Sequence, residues 1–248
     1  MAGIRDSRFY TVIYYFVLIS FIIPLVSVTI SLVAVYKGDI SEQVSQLRTE
    51  YILMIVQAIL GIIAINIPSF LMKKYSFDVP KSILILYTVF LFCSIYLGEI
   101  KRFYNHIDIW DDILHCFSSV MTGMFGFMLV YIFNRSRDSR IAEKLSPIFL
   151  ALFAFCFAVA IGAIWEIYEF CLDHLFELNM QKYRLSSGEA LIGHSAVTDT
   201  MTDIIIDTAG AFLATAIGYF SIKRKQGWII DYLSGDEDTM DFKEGKEK

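Results

Sequence analysis

Charge is what this chain has least of. Asp, Glu, Lys and Arg together make up 19% of its 248 residues, against 56% hydrophobic residues. Ordinary soluble domains are more charged and less apolar, so a soluble globular fold is excluded at the outset. Other absences narrow the chemistry. There is no Gly-rich phosphate loop, no zinc-finger spacing and no basic stripe interleaved with aromatics, so no motif for nucleic acid is present. Cysteine is scarce: Cys93, Cys116, Cys156 and Cys171 all fall in or at the ends of apolar segments. There a thiol acts as a small packing residue, and no disulfide framework is visible. No internal repeat stands out.

What is present comes in blocks. Apolar runs near or above about 18 residues with almost no charge read as transmembrane helices, because a hydrocarbon core is about 30 Å thick and a helix rises about 1.5 Å per residue. Six such segments are expected: Phe9–Tyr36, Tyr51–Met72, Ser82–Leu97 (running on toward Ile100), Ile113–Phe133, Pro147–Leu172 and Ile204–Ile222. The first is too long for a cleaved signal peptide and is read as an uncleaved span. Pro24 is a candidate kink, while Pro80 and Pro147 stand where a helix start tolerates proline. The fold class is therefore all-α, a polytopic transmembrane bundle over residues 1–222. Residues 223–248 are polar and acidic without periodicity, a composition expected of a disordered tail, and they account for part of the net charge of −5.

Lys and Arg near span ends set the expected orientation. Arg5, Arg8, Lys73, Lys74, Lys81, Arg135, Arg137, Arg140, Lys144, Lys223, Arg224 and Lys225 lie on one side. Lys37, Arg48, Lys101, Arg102, Lys182 and Arg184 lie on the other. The richer side is cytoplasmic by this rule, which places both termini there and sends the Gly98–Asp111 and Asp173–Thr202 loops outward.

Three acidic patches border those loops. WDDILHCFSS (Trp110–Ser119) opens the fourth helix, and at 100° per residue Asp112, His115, Ser119, Gly123 and Gly126 share an arc of about 80°. Capping and helix-dipole complementarity account for one of Asp111 and Asp112, but not for His115. GAIWEIYEF (Gly162–Phe170) puts Glu166 and Glu169 on one face with Gly162 and Asp173. Glu166 lies roughly 9 Å inside its span, where an unpaired carboxylate costs about 2.5–3.5 kcal/mol; Glu169 is near enough to the end to reach the surface. In DTMTDIIID (Asp199–Asp207), Asp203 and Asp207 share an arc with Gly210, Ala214 and Gly218. That small-xxx-small series lets helices approach closely, so these acids continue a packing face. Asp199 is expected just outside the helix, as a cap.

These residues also carry a family resemblance. LGEIKRFY (Leu97–Tyr104), WDDILHCFSS, WEIYEFCLD (Trp165–Asp173), NMQ (Asn179–Gln181) and DTMTDIIIDTAGA (Asp199–Ala211) resemble the YjdF-like family of bacterial inner-membrane proteins, over about Ser82 to Tyr219. The match falls at Asp111, His115, Glu166, Glu169, Asp199, Asp203 and Asp207. The resemblance implies a multi-span helical bundle with a shared polar site in the bacterial cytoplasmic membrane, and it supplies no reaction.

So many carboxylates cannot all ionise together without compensation. One function class is a metal-dependent membrane enzyme, a hydrolase or transferase acting on a lipid or lipid-linked substrate. Carboxylates with one imidazole suit Mg²⁺, Mn²⁺, Zn²⁺ or Fe²⁺. Asp112 (or its neighbour Asp111, with Asp112 preferred), His115, Glu166 and Asp203 are the candidate ligands, and Glu169 and Asp207 are ligands or acid/base groups. Arg102, Lys182 and Arg184 are candidate contacts for an anionic head group, and the Asp173–Thr202 loop is a candidate lid. Ser186, Ser187, His194 and Ser195 in that loop read as surface polarity. A second class is a cation or proton transporter, since intramembrane acids mark ion paths; against it, the acids cluster at helix ends, not at the midplane. A third is a non-catalytic sensor or assembly partner whose acids form a structural network. Composition fixes neither substrate, metal nor oligomeric state.

Overall fold

The computed structural model describes residues 2–36, 42–75, 79–135, 145–185 and 187–224. The acidic tail expected over 223–248 lies almost wholly outside the described residues. The described residues are helical throughout except for short connections, and six of the helices are long and apolar enough to cross a membrane. They are α1 (Ala2–Tyr36), α2 (Glu42–Tyr75), α3 (Lys81–Leu91, prolonged by a π-helical stretch Phe92–Ile100), the four-residue α4 (Phe103–His106), α5 (Trp110–Arg135), α6 (Pro147–Phe176) and α7 (Thr198–Lys223). The chain divides into two compact units, residues 1–111 and 112–248.

In the first unit α1, α2 and α3 pack around Val17, Phe21, Ile65 and Leu91. Close approach of α1 to α2 depends on Gly61, where an added Cβ would sit 3.1 Å from the Phe21 ring. Several exposed or half-buried polar groups here find partners inside the unit. The Tyr14 hydroxyl donates to Asn66 at 2.8 Å, Tyr87 donates to the Ala64 carbonyl at 2.9 Å, and the Gln57 amide donates to Glu99 at 2.8 Å. The π-helical stretch, marked by the Lys101 N–H bonding to the Tyr96 carbonyl five residues back, carries Glu99 on the side facing α2. It completes the third span to Ile100, as the sequence leads one to expect. Pro24 and Pro68 both lie inside helices.

The second unit contains α5, α6 and α7. Ser146 caps α6, its Oγ accepting from the Phe149 N–H at 3.3 Å with Pro147 at the first helical position, the place proline suits best. Small residues then set the spacing. Gly126 of α5 lies against Ala154 of α6, Gly123 against Ala214 of α7, Gly210 against Ser119 and Gly218 against Phe127. Along α6 one stripe is buried from end to end: Ala151, Ala154 and Ala158 first, then Glu166, Glu169 and Asp173. The other faces are apolar and exposed, including Ile164, Ile167 and Phe170 at the level of the acids. The membrane-facing exterior therefore continues past the acidic end of the stripe, and the acids point inward.

Candidate functional site

Antiparallel order brings the polar ends together. The acids open α5 and α7 and close α6, so all three patches fall at one end of the second unit. His115 is their centre and is 5% exposed. Its Nδ1 lies 3.3 Å from Oδ2 of Asp207. On the other edge of the ring, Nε2 lies 3.9 Å from Oε1 of Glu166 and 4.0 Å from Oδ2 of Asp203. Donation from Nδ1 of a neutral ring to Asp207 would leave the Nε2 lone pair facing Glu166 and Asp203. Such pairing of an imidazole with a carboxylate orients the ring and fixes its tautomer. Gly162 makes the arrangement sterically possible, since a Cβ there would collide with the Asp207 carboxylate.

Glu166 is 4% exposed, yet neither of its oxygens accepts a hydrogen bond, and Oδ1 of Asp207 accepts none either. Gln181 and Thr200 approach Glu166, but the Gln181 amide donates instead to the Thr200 hydroxyl at 2.9 Å and, at 3.5 Å, to the Glu166 backbone carbonyl. Buried polar atoms are rarely left so. Asp111, one turn before His115 on α5, completes the group: one ligand atom each from Asp111, His115 and Asp203 lie within 4.8 Å of one another, all three residues buried. The division between the units falls within α5, immediately after this residue.

The other sequence candidates fall at varying distances from this centre. Asp112 is half-buried and lies outside the Asp111–His115–Asp203 group. Glu169 is buried, 5% exposed, and its Oε1 accepts the Trp165 indole N–H at 2.8 Å. Asp199 is not a cap outside α7 but a residue of its first turn, bound to Lys182 Nζ at 2.8 Å. Arg102 belongs to the first unit and pairs with Glu50 at 2.6 Å. Arg184 lays its guanidinium over the Tyr183 ring at 4.7 Å. Ser186 lies outside the described residues.

The connection between α6 and α7 is shorter and more ordered than an Asp173–Thr202 loop. α6 runs on to Phe176, and a 3₁₀ turn at Gly193–Val197 leads into α7. Between them Arg184 and Ala190 form an isolated bridge. The chain is tied back by Asp173, whose two oxygens accept the backbone N–H groups of Met180 and Gln181 at 2.8 and 3.0 Å. Asp173 and Gln181 were not singled out as site residues from sequence; both fall in segments that carry the family resemblance, and helical phase also put Asp173 on the face of Glu166 and Glu169.

Six apolar spans with a buried carboxylate–histidine cluster define a polytopic helical membrane protein. The chain belongs to the family described as "Predicted membrane protein (DUF2238)", which matches residues 10–224. It is also 28% identical over 145 residues to an "Uncharacterized protein" of Thermotoga maritima. That alignment covers 57% of this chain and 64% of the relative, so the chain spans less than two thirds of the relative's length. No solved structure matches the chain.

Proposed function

We propose that the second unit holds a divalent cation and that the protein is a metal-dependent membrane enzyme, a hydrolase or transferase acting on a lipid or lipid-linked substrate. The observation that carries this reading is the spacing at His115 Nε2. At 3.9 and 4.0 Å from Glu166 and Asp203, it is too far for hydrogen bonds. Ligands of one ion with metal–ligand bonds of about 2.0–2.2 Å lie about 3 to 4 Å apart, and these separations fit that. Asp111, His115, Glu166 and Asp203 are the proposed ligands, with Asp112 adjacent on α5. A cation of the Mg²⁺, Mn²⁺, Zn²⁺ or Fe²⁺ class would offset the buried charge that burial otherwise disfavours.

When bound, such an ion polarises an oxygen of the substrate or lowers the pKa of a bound water. The chain's own groups supply the rest. Asp207 orients the imidazole. Glu169, aligned by Trp165 and one turn beyond Glu166, is the candidate general base, with Asp207 as the alternative proton acceptor. Lys182 is the candidate contact to an anionic head group, since Arg102 pairs with Glu50 in the first unit and Arg184 lies over the Tyr183 ring.

The location follows from the YjdF-like resemblance and the Lys/Arg asymmetry: the bacterial cytoplasmic membrane, both termini in the cytoplasm, and the site at the outer-leaflet ends of α5, α6 and α7. Residues 1–222 form the membrane part and 223–248 an acidic cytoplasmic tail.

The test is incubation of the purified protein with membrane lipid extract, with and without chelator, followed by unbiased lipid profiling. The reading expects a lipid conversion that chelator abolishes, metal restores, and Glu166→Gln lacks. Cation uptake into proteoliposomes that Asp207→Asn abolishes, without any lipid conversion, would replace the enzyme by a transporter.

A further inference from the structure

Of the three candidate head-group cations, one is built into the site. Lys182 follows Gln181 directly, and the two residues reach adjacent positions in the first turn of α7: Gln181 holds Thr200 and Lys182 holds Asp199. Asp199 is one helical turn, about 6 Å of rise, before Asp203, a proposed metal ligand. Lys182 is also held in the left-handed region at φ 46°, a conformation that costs a non-glycine residue energy and persists only where surrounding contacts impose it. Those contacts are visible. Asp173, 5% exposed, accepts the two preceding N–H groups, and the Lys182 N–H donates to the Asn179 carbonyl at 3.3 Å. Yet the Lys182 side chain remains 40% exposed, so an incoming group can reach it. Arg184 is placed otherwise, on Tyr183.

We propose that Lys182 receives a phosphate-type anionic group of the substrate, exchanging Asp199 for it, and that Asp173 is the positioning residue that holds Lys182 there. This rests on the metal reading above. A phosphate between a divalent cation and an ammonium group is held by two positive centres, an arrangement that suits charge developing on phosphoryl oxygens. Asp199 meanwhile keeps the ammonium in register until the anion arrives. The substrate class is thus narrowed to phosphate esters, whether a lipid head group or a soluble phosphate.

The experiment uses the full chain in detergent and in nanodiscs. Mn²⁺ binding is measured first, then binding of inorganic phosphate to the Mn²⁺-loaded protein, for wild type, Lys182→Ala, Lys182→Arg, Asp173→Asn and Arg184→Ala. Loss of a charged hydrogen bond corresponds to roughly a 10–100-fold change in affinity. Lys182→Ala and Asp173→Asn are expected to weaken phosphate binding by at least about tenfold on that scale. Mn²⁺ affinity stays near wild type in both, Lys182→Arg restores phosphate binding, and Arg184→Ala leaves it unchanged. Nanodiscs of phosphatidic acid and of phosphatidylcholine separate the two sources: a Lys182-dependent increase in Mn²⁺ affinity with phosphatidic acid alone identifies a lipid phosphate, and a Lys182-dependent response to inorganic phosphate alone identifies a soluble one. Wild-type Mn²⁺ binding with phosphate and phosphatidic acid responses unchanged in Lys182→Ala overturns this proposal. Absence of Mn²⁺ binding by wild type overturns the metal reading beneath it. A fall in Mn²⁺ affinity equal to the fall in phosphate affinity for Asp173→Asn reduces Asp173 to a structural tie and removes its positioning role.

Discussion

The two units leave different polar atoms buried without a hydrogen bond: N–H donors in the first, Arg48 Nε and Trp110 Nε1, and carboxylate oxygens in the second. In the first, Gln57 meets Glu99, Tyr87 meets a backbone carbonyl, and Thr88 returns its hydroxyl to the Leu84 carbonyl at 2.7 Å. Each pairing answers the cost of taking a polar group out of water. In the second, the Glu166 carboxylate and one oxygen of Asp207 are buried without a hydrogen bond, beside an imidazole already turned toward acids on both edges. A unit that only needed to be stable would gain by exchanging such groups for apolar ones. The second unit thus retains an electrostatic cost that a ligand would relieve.

The contrast can be broken most severely at its centre. His115→Ala removes the residue to which Glu166, Asp203 and Asp207 all turn. Loss of one ligand of a few is expected to weaken divalent-cation binding by more than the 10–100-fold typical of outer-shell changes. In thermal melts, the stabilisation by added metal, worth about 2.7 kcal/mol at a hundred times Kd, should vanish. Gly162→Ala tests the same contrast without touching an acid. Its Cβ would meet the Asp207 carboxylate, so the expected change is weaker metal binding with a smaller loss of metal-free stability, read by titration and melting together.

Two further substitutions sharpen the comparison with effects that metal should not alter. Gly126→Ala would put a Cβ 2.8 Å from the Ala154 Cα, and forcing two helices apart should cost about 1–3 kcal/mol, seen as a lower melting temperature in detergent. In the first unit, Gln57→Leu strips Glu99 of its donor, with an expected cost of about 1–3 kcal/mol and no change in metal response. The smallest effect belongs to Arg102→Ala. Its pair with Glu50 is nearly half exposed on both sides, so its loss should cost less than about 1 kcal/mol; a larger fall in melting temperature would show that the left-handed backbone of Arg102, at φ 59°, depends on the ion pair.

The bundle was legible because hydropathy dominates it. All six segments are helices, and they run further than their apolar cores, since a helix continues for a turn or more after its residues leave the hydrocarbon: α6 extends beyond Leu172 to Phe176 and α7 begins at Thr198, before Ile204. The site was legible through helical phase, which put Glu166, Asp203, Asp207 and His115 on faces also bearing small residues. Phase was insufficient where two neighbours compete. Asp111 and Asp112 lie about 40° and 60° from His115 on opposite sides, and only the placement of α7 brings Asp111 into the group. Contacts made by the connecting chain left even less trace. Nothing in the spacing of Asp173 and Gln181 announces a carboxylate binding two consecutive N–H groups seven and eight residues on. Glu99 was passed over because its partner, Gln57, comes from another helix.

The central claim is that the second unit's buried acids exist to hold a cation, and elemental analysis of the purified wild-type chain tests it most directly. The account predicts at least about one divalent ion per chain, removed by chelator with a fall in melting temperature of several degrees and restored by re-addition of that metal. No stoichiometric metal, together with a melting temperature indifferent to chelator and to added cations, would contradict it.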